Sequence, residues 1–277
     1  MANKKPIGIF DSGYGGLTVF RSIFQQLPGY DYIYLGDTAR APYGNRSFHS
    51  IHQYTWECVQ WLFNQGCELV ILACNTASAK ALRTIQQRDL QNFGSAKRVL
   101  GVIRPTAEVI GNYSQSKEIG VLGTKGTVQS GSYLIEIGHF FPDLKVYQQA
   151  CPLWVPLIEN GEFDKPGADY FVEKYLDQIL SQSPDIDTIL LACTHYPLLM
   201  EKIRTFLPKH IQIVSQGDIV AASLIDYLKR HIEMDSILTK NHTQSFFTTS
   251  DDTGDFDHYA AMFFSAPVKS LYAEIKC

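Results

Sequence analysis

The 277-residue sequence lacks the features that would mark a membrane, nucleic-acid or metal protein at once. No apolar run approaches the roughly 20 residues needed to span a bilayer, and residues 1–6 are polar, without signal-peptide character. A cytoplasmic location and no membrane partner are therefore expected. A formal net charge of −4 and a pI near 6.1 offer no general attraction to a phosphate backbone, so nucleic acid is not an expected partner. The eight histidines form no H-x-x-x-H pair, and the six cysteines form no C-x-x-C pair. The first absence speaks against a metal centre; the second fits free thiols in a reducing compartment. Neither G-x-G-x-x-G nor G-x-x-x-x-G-K-[ST] occurs, which leaves nucleotide phosphates weakly supported.

What is present is an ordinary globular composition, 45% hydrophobic and 19% charged, at a length that suits two packed cores. Continuous apolar runs at 6–10, 32–35, 69–73, 99–103, 119–122, 188–192 and 211–214 read as strands covered on both faces. Between them, 17–27, 48–64, 76–87, 127–140, 168–180 and 218–231 carry the three-to-four-residue apolar spacing of amphipathic helices. Such alternation is the signature of βα units around a parallel sheet, an α/β fold.

An internal echo refines this expectation. Leu69-Val70-Ile71-Leu72-Ala73-Cys74-Asn75-Thr76 resembles Thr188-Ile189-Leu190-Leu191-Ala192-Cys193-Thr194-His195, and more faintly Ile7-Gly8-Ile9-Phe10-Asp11-Ser12-Gly13 resembles Ile119-Gly120-Val121-Leu122-Gly123-Thr124-Lys125. The echo predicts two similar doubly wound parallel-sheet domains related by a pseudo-twofold axis, with the active site between them at the carboxyl ends of the strands. The expected division is 1–97 plus 210–277 for the first domain and 98–209 for the second. In the tail, 246–249 reads as a strand, 256–264 as a helix and 268–275 as an edge strand, a hairpin-like end that completes the first sheet.

Two loops and two cysteines carry the chemical signal. Asp11-Ser12-Gly13-Tyr14-Gly15-Gly16 sits between a strand and a helix, where backbone N–H groups receive an anion, or where Asp11 or Ser12 simply caps the helix. Gly36 to Gly44 forms a turn-rich segment after a strand, either a plain loop or one whose amides take a carboxylate. Cys58 and Cys67, on or just after a helix, read as buried inert thiols; Cys151, before Pro152, and Cys277, the last residue, have no polar shell in sequence. Cys74 and Cys193 are each followed by small polar residues at an expected helix start, which favours thiolate. Either alone is equally a structural thiol. At matching positions of a duplicated unit, the pair points to function.

Across nearly the whole chain these landmarks resemble the glutamate racemase family, within the aspartate/glutamate racemase superfamily. The matching segments are Phe10 to Val19, Gly36 to Gly44, Leu72-Ala73-Cys74-Asn75-Thr76-Ala77-Ser78-Ala79 and Ala192-Cys193-Thr194-His195-Tyr196-Pro197-Leu198. The resemblance implies racemisation of glutamate without a cofactor, supplying D-glutamate for peptidoglycan, and a homodimer. It implies Cys74 and Cys193 as the acid/base pair, Asp11, Ser12, Tyr43, Gly44, Asn75, Thr76, Thr194 and His195 around the substrate, and Glu159 near the second cysteine. Three departures stand out: Ala192 in place of glycine, Ser215-Gln216-Gly217 in place of an Asp-Ser sequence, and Arg104-Pro105-Thr106 in place of a small or acidic pattern. None removes a proposed acid/base group.

The chemistry explains why two thiols suit this task. Inverting a carbon requires removing its proton from one face and returning one to the other, and a thiol with a free pKa of about 8.5 lies within tuning range of neutrality. Donors at Asn75, Thr76 and Thr194 would stabilise charge growing on the α-carboxylate, while the Tyr43-Gly44 amides would hold the distal one. Asp11 and His195 would assist at the first and second thiol. Rival readings are an aspartate racemase of the same superfamily, a cysteine hydrolase with Cys193 as nucleophile and His195 as base, and a two-lobed amino-acid binding module.

Overall fold

In the computed structural model, which describes residues 4–93 and 96–275, the strands form two separate all-parallel sheets. Cys277 lies outside the described residues. The first sheet contains β1 (Ile7–Asp11), β2 (Tyr32–Gly36), β3 (Leu69–Leu72), β4 (Arg98–Gly101), β9 (Gln244–Thr248) and β10 (Ser270–Tyr272), in the order β10-β9-β2-β1-β3-β4. The second contains β5 (Glu118–Gly123), β6 (Lys145–Ala150), β7 (Thr188–Ala192) and β8 (Gln212–Val214), in the order β6-β5-β7-β8. β1, β3, β5 and β7 are buried along their whole length, which is why their sequences are unbroken apolar runs.

The sheets repeat one another. β1 lies between β2 and β3 as β5 lies between β6 and β7, with Phe10 beside Leu72 and Gly123 beside Ala192 at the carboxyl ends. This is the pseudo-symmetric, doubly wound arrangement that the internal echo predicts. Helix Leu17–Gln26 packs against helix Gly217–Arg230, and across the strand ends Gly126 N donates to Gly44 O at 2.9 Å.

Strand pairing departs from the expected division at both seams. β4 hydrogen-bonds to β3 and so extends the first sheet to Gly101, while β8 pairs with β7 and extends the second to Val214. Sequence periodicity finds strands but not their partners. The tail does complete the first sheet, with β9 beside β2 and β10 on the edge, but all pairings are parallel. Parallel neighbours cannot be joined by a hairpin, and helix Thr253–Phe264 supplies the crossover.

Local chemistry accounts for the other differences. β6 escapes sequence reading because Lys-Val-Tyr-Gln-Gln-Ala is a half-exposed edge strand with no buried residue. The expected helix at 127–140 is two helices, Lys125–Ser130 and Ser132–Phe140, divided at Gly131. There φ is +66°, the left-handed conformation that glycine adopts at little cost. The expected helix at 76–87 likewise breaks into Asn75–Lys80, Leu82–Thr84 and a π turn at Ile85–Asp89.

Candidate active site

Both cysteines stand at the carboxyl ends of central strands, one from each sheet. Cys74 follows β3, Cys193 follows β7, each is 6% exposed, and both line one cavity between the sheets. Ser12, Tyr43, Gly44, Asn75, Thr76, Glu159, Thr194 and His195 line the same cavity, so ten of the eleven residues expected there are brought together. Asp11 is the exception. It is wholly buried behind the lining, with Oδ1 accepting from Gly13 N at 2.9 Å and Oδ2 from the Thr194 hydroxyl at 3.5 Å. Burial pushes its carboxyl above the usual carboxylate range, against the pull of nearby His195.

The glycine-rich loop leaves no room for a side chain at Gly15 or Gly16. Gly16 is the N-cap residue of helix Leu17–Gln26 and has no side chain to cap with, but the buried Asp11 carboxyl takes the Gly16 and Gly13 amides at this helix start, so of the two residues considered for capping it is Asp11 that holds it. Ser12 Oγ instead lies 3.4 Å from Cys74 Sγ. A Cβ on Gly15 would fall 2.3 Å from His195 Nδ1 and 2.4 Å from Thr194 Oγ1, so only glycine lets this loop press against the second cysteine's neighbours.

The two thiols have unlike surroundings. Cys74 is the N-cap of helix Asn75–Lys80, and its sulfur accepts from Ala77 N at 3.4 Å. Burial nevertheless pushes the thiol up to about 12, reinforced by Asp11 and opposed by Ser12 and the Ala77 amide. The thiolate expected from the helix start is thus overruled by desolvation. Cys193 has no such helix behind it, because a 3-10 turn at Tyr196–Leu199 precedes helix Met200–Phe206. Its partner is His195, whose Nδ1 lies 4.0 Å from Cys193 Sγ and whose Nε2 lies 2.9 Å from Glu159 Oε1. Burial disfavours the imidazolium, but the bonds to Cys193 and Glu159 outweigh it and raise His195 to about 10.

The remaining walls are held by buried polar contacts. Tyr43 donates its hydroxyl to buried Asp37, which also accepts Arg40 Nε at 2.8 Å and the Thr249 hydroxyl at 2.7 Å, fixing the loop that carries Gly44. Thr76 Oγ1 meets Thr124 Oγ1 at 2.9 Å across the two sheets.

Sequence reasoning missed Thr124, Lys125, Cys151, Pro152, Val155 and Pro156, which complete the lining with Ala41, Pro42 and Asn45. A signal for the first two was available, since Thr124 is the echo of Ser12. The segment 151–156, a turn that runs into helix Trp154–Glu159, follows β6, and with that strand unread its end was invisible. Among the described residues, no group of three histidine, cysteine or acidic side chains is placed to hold a metal ion.

Comparisons with known proteins agree with this geometry. Residues 7–224 match the family model described as Asp/Glu/Hydantoin racemase. A glutamate racemase from a Sulfurihydrogenibium species is 44% identical over 225 residues, covering 81% of this chain and 82% of its own. The crystal structure of a glutamate racemase isoform from Bacillus anthracis superposes with a TM-score of 0.88 at 33% identity, covering 98% of each chain. That of a Francisella tularensis glutamate racemase, in complex with D-glutamate, superposes at 0.85 with 28% identity, covering 99% of this chain and 98% of that one. On sequence and fold alike, the chain belongs to the Asp/Glu/hydantoin racemase family, on its glutamate racemase branch.

Proposed function

We propose that the protein interconverts L- and D-glutamate by passing the α-proton between Cys74 and Cys193, supplying D-glutamate for peptidoglycan. The observation that carries this reading is a single cavity with one buried thiol at the end of a central strand in each of two pseudo-symmetric sheets. Opposed walls are what inversion at one carbon requires. The thiolate on one wall removes the proton, the thiol on the other delivers one to the far face, and turnover in reverse restores the starting states.

Charge growing on the α-carboxylate falls to Asn75, Thr76 and Thr194, all within the lining. His195, held as an imidazolium by Glu159, gives the Cys193 sulfur a cationic neighbour. The amides of the Tyr43-Gly44 loop receive the side-chain carboxylate. Asp11 acts from behind the lining, through Thr194 and the loop that carries Ser12. No helix among the described residues is long and apolar enough to cross a membrane. We place the enzyme in the cytoplasm as a homodimer, without nucleic acid, and sedimentation at micromolar concentration tests the dimer.

Isotope transfer in heavy water tests the mechanism. Starting from L-glutamate, the first D-glutamate formed should carry deuterium at Cα, delivered by a solvent-exchanged thiol, while recovered L-glutamate remains mostly protiated. Substantial early transfer of protium into product, read by mass spectrometry before equilibrium, would show one base serving both faces and overturn the two-thiol assignment.

A further inference from the structure

Two of the segments at which this sequence departs from the family pattern meet behind the cavity, where Thr106 contacts Gln216 and Gln216 belongs to a closed ring of hydrogen bonds. Gln216 is 4% exposed, and its side chain reaches residues from both halves of the molecule. Asn75 Nδ2 donates to Gln216 Oε1 at 2.7 Å, Gln216 Nε2 donates to the Tyr133 hydroxyl at 2.8 Å, and that hydroxyl donates to Asn75 Oδ1 at 2.6 Å. Gln216 Nε2 also donates to Thr106 Oγ1 at 2.8 Å and lies 3.2 Å from Val102 O.

The direction of this ring is fixed from outside it. Val102 O is a backbone carbonyl, which can only accept, and it already takes the Thr106 hydroxyl proton at 2.9 Å. A Gln216 amide turned the other way would set its oxygen against that carbonyl with no proton between them. Gln216 must therefore present its nitrogen to Val102 and Thr106 and its oxygen to Asn75. The Asn75 atom facing that oxygen must be nitrogen, and its carbonyl must face Tyr133, whose one proton it accepts. One Asn75 N–H remains, and Asn75 lines the cavity.

We propose that Gln216, together with Tyr133, is a positioning residue that locks the Asn75 amide in the orientation presenting a donor, rather than an acceptor, to a substrate carboxylate. The inference rests on the reading of Asn75 as a substrate donor. Without the ring, the Asn75 amide can turn over and set its oxygen against the anionic substrate.

Steady-state racemisation by Gln216→Met and Tyr133→Phe, each alone and combined with Asn75→Ala, tests this. Each single variant should lower kcat/KM about tenfold, the scale of one misdirected buried hydrogen bond, with part of the loss appearing as a raised KM for glutamate. In the Asn75→Ala background each should cost less than about twofold, because the group they orient is gone. An undiminished loss in the Asn75→Ala background would assign them a merely structural role and overturn the proposal. Tyr133→Phe removes one oxygen from a buried ring and keeps the test valid if Gln216→Met folds poorly. Normal kinetics in Asn75→Ala would overturn the reading of Asn75 itself, whereas an impaired Asn75→Ala beside two unimpaired partners would overturn the ring alone.

Discussion

The two cysteine-bearing walls share a topology and differ in electrostatics. Cys74 sits at a helix start among Ser12, the Ala77 amide and buried Asp11, and keeps its proton. Cys193 has no helix start behind it and faces an imidazole tethered to a carboxylate. Duplicated scaffolding thus places two equivalent sulfur atoms and surrounds them with unequal neighbours. Before substrate arrives, burial holds the proton on the first wall's thiol, while the second wall sets an imidazolium beside its sulfur.

The sharpest way to break this comparison is to remove either sulfur. Cys74→Ala and Cys193→Ala should each lower racemisation by at least the ~10²- to 10⁴-fold that a positioned acid or base supplies, while Cys67→Ala, a buried thiol outside the cavity, stays near normal. Progress curves by circular dichroism on both enantiomers decide it; near-normal turnover by either of the first two ends the two-thiol model.

A finer test asks whether His195 makes the second wall different. Its folded pKa of about 10 lies above the ordinary 6.5, so the imidazolium persists through neutrality and is lost only as pH rises through about 10. The alkaline limb of kcat/KM should therefore reflect His195. Glu159→Gln removes the anionic partner, favours the neutral ring, and should move that limb to lower pH. An unmoved limb in Glu159→Gln would separate His195 from the pH dependence.

The smallest effect belongs to the first wall. Ser12→Ala removes one neutral contact to Cys74 and should slow turnover only several-fold, about 1 kcal/mol in transition-state terms. A loss as large as that of Cys74→Ala would show that Ser12 does more than make one neutral contact.

Much of this was legible in the sequence because buried parallel strands leave unbroken apolar runs. β1, β3, β5 and β7 announced themselves, and with them the two cysteines at their ends. What stayed hidden was set by pairing and by edges. Nothing within residues 98–101 or 212–214 tells which sheet each will join, and β6, half exposed and polar, took the 151–156 wall out of sight. The Gln216 ring was equally unreadable, since its members lie far apart in sequence and meet only after both sheets have formed. Imidazole pairing at Cys193 had a trace in Cys193-Thr194-His195, but the short turn that replaces a helix there had none.

The return of the chain to its first sheet sets an order of assembly. Residues 118–214 hold every strand of the second sheet in one continuous stretch, whereas β2 waits for β9 and β9 for β10, near the far end of the sequence. During synthesis the second sheet can close while the first still has an open edge at β2, and Phe20 and Tyr34 lack the Phe246 and Phe264 rings that later pack against them. A nascent chain released before residue 244 would keep Cys74 and Cys193 and yet expose an unpaired edge strand beside an uncovered aromatic cluster, so such fragments should aggregate rather than racemise.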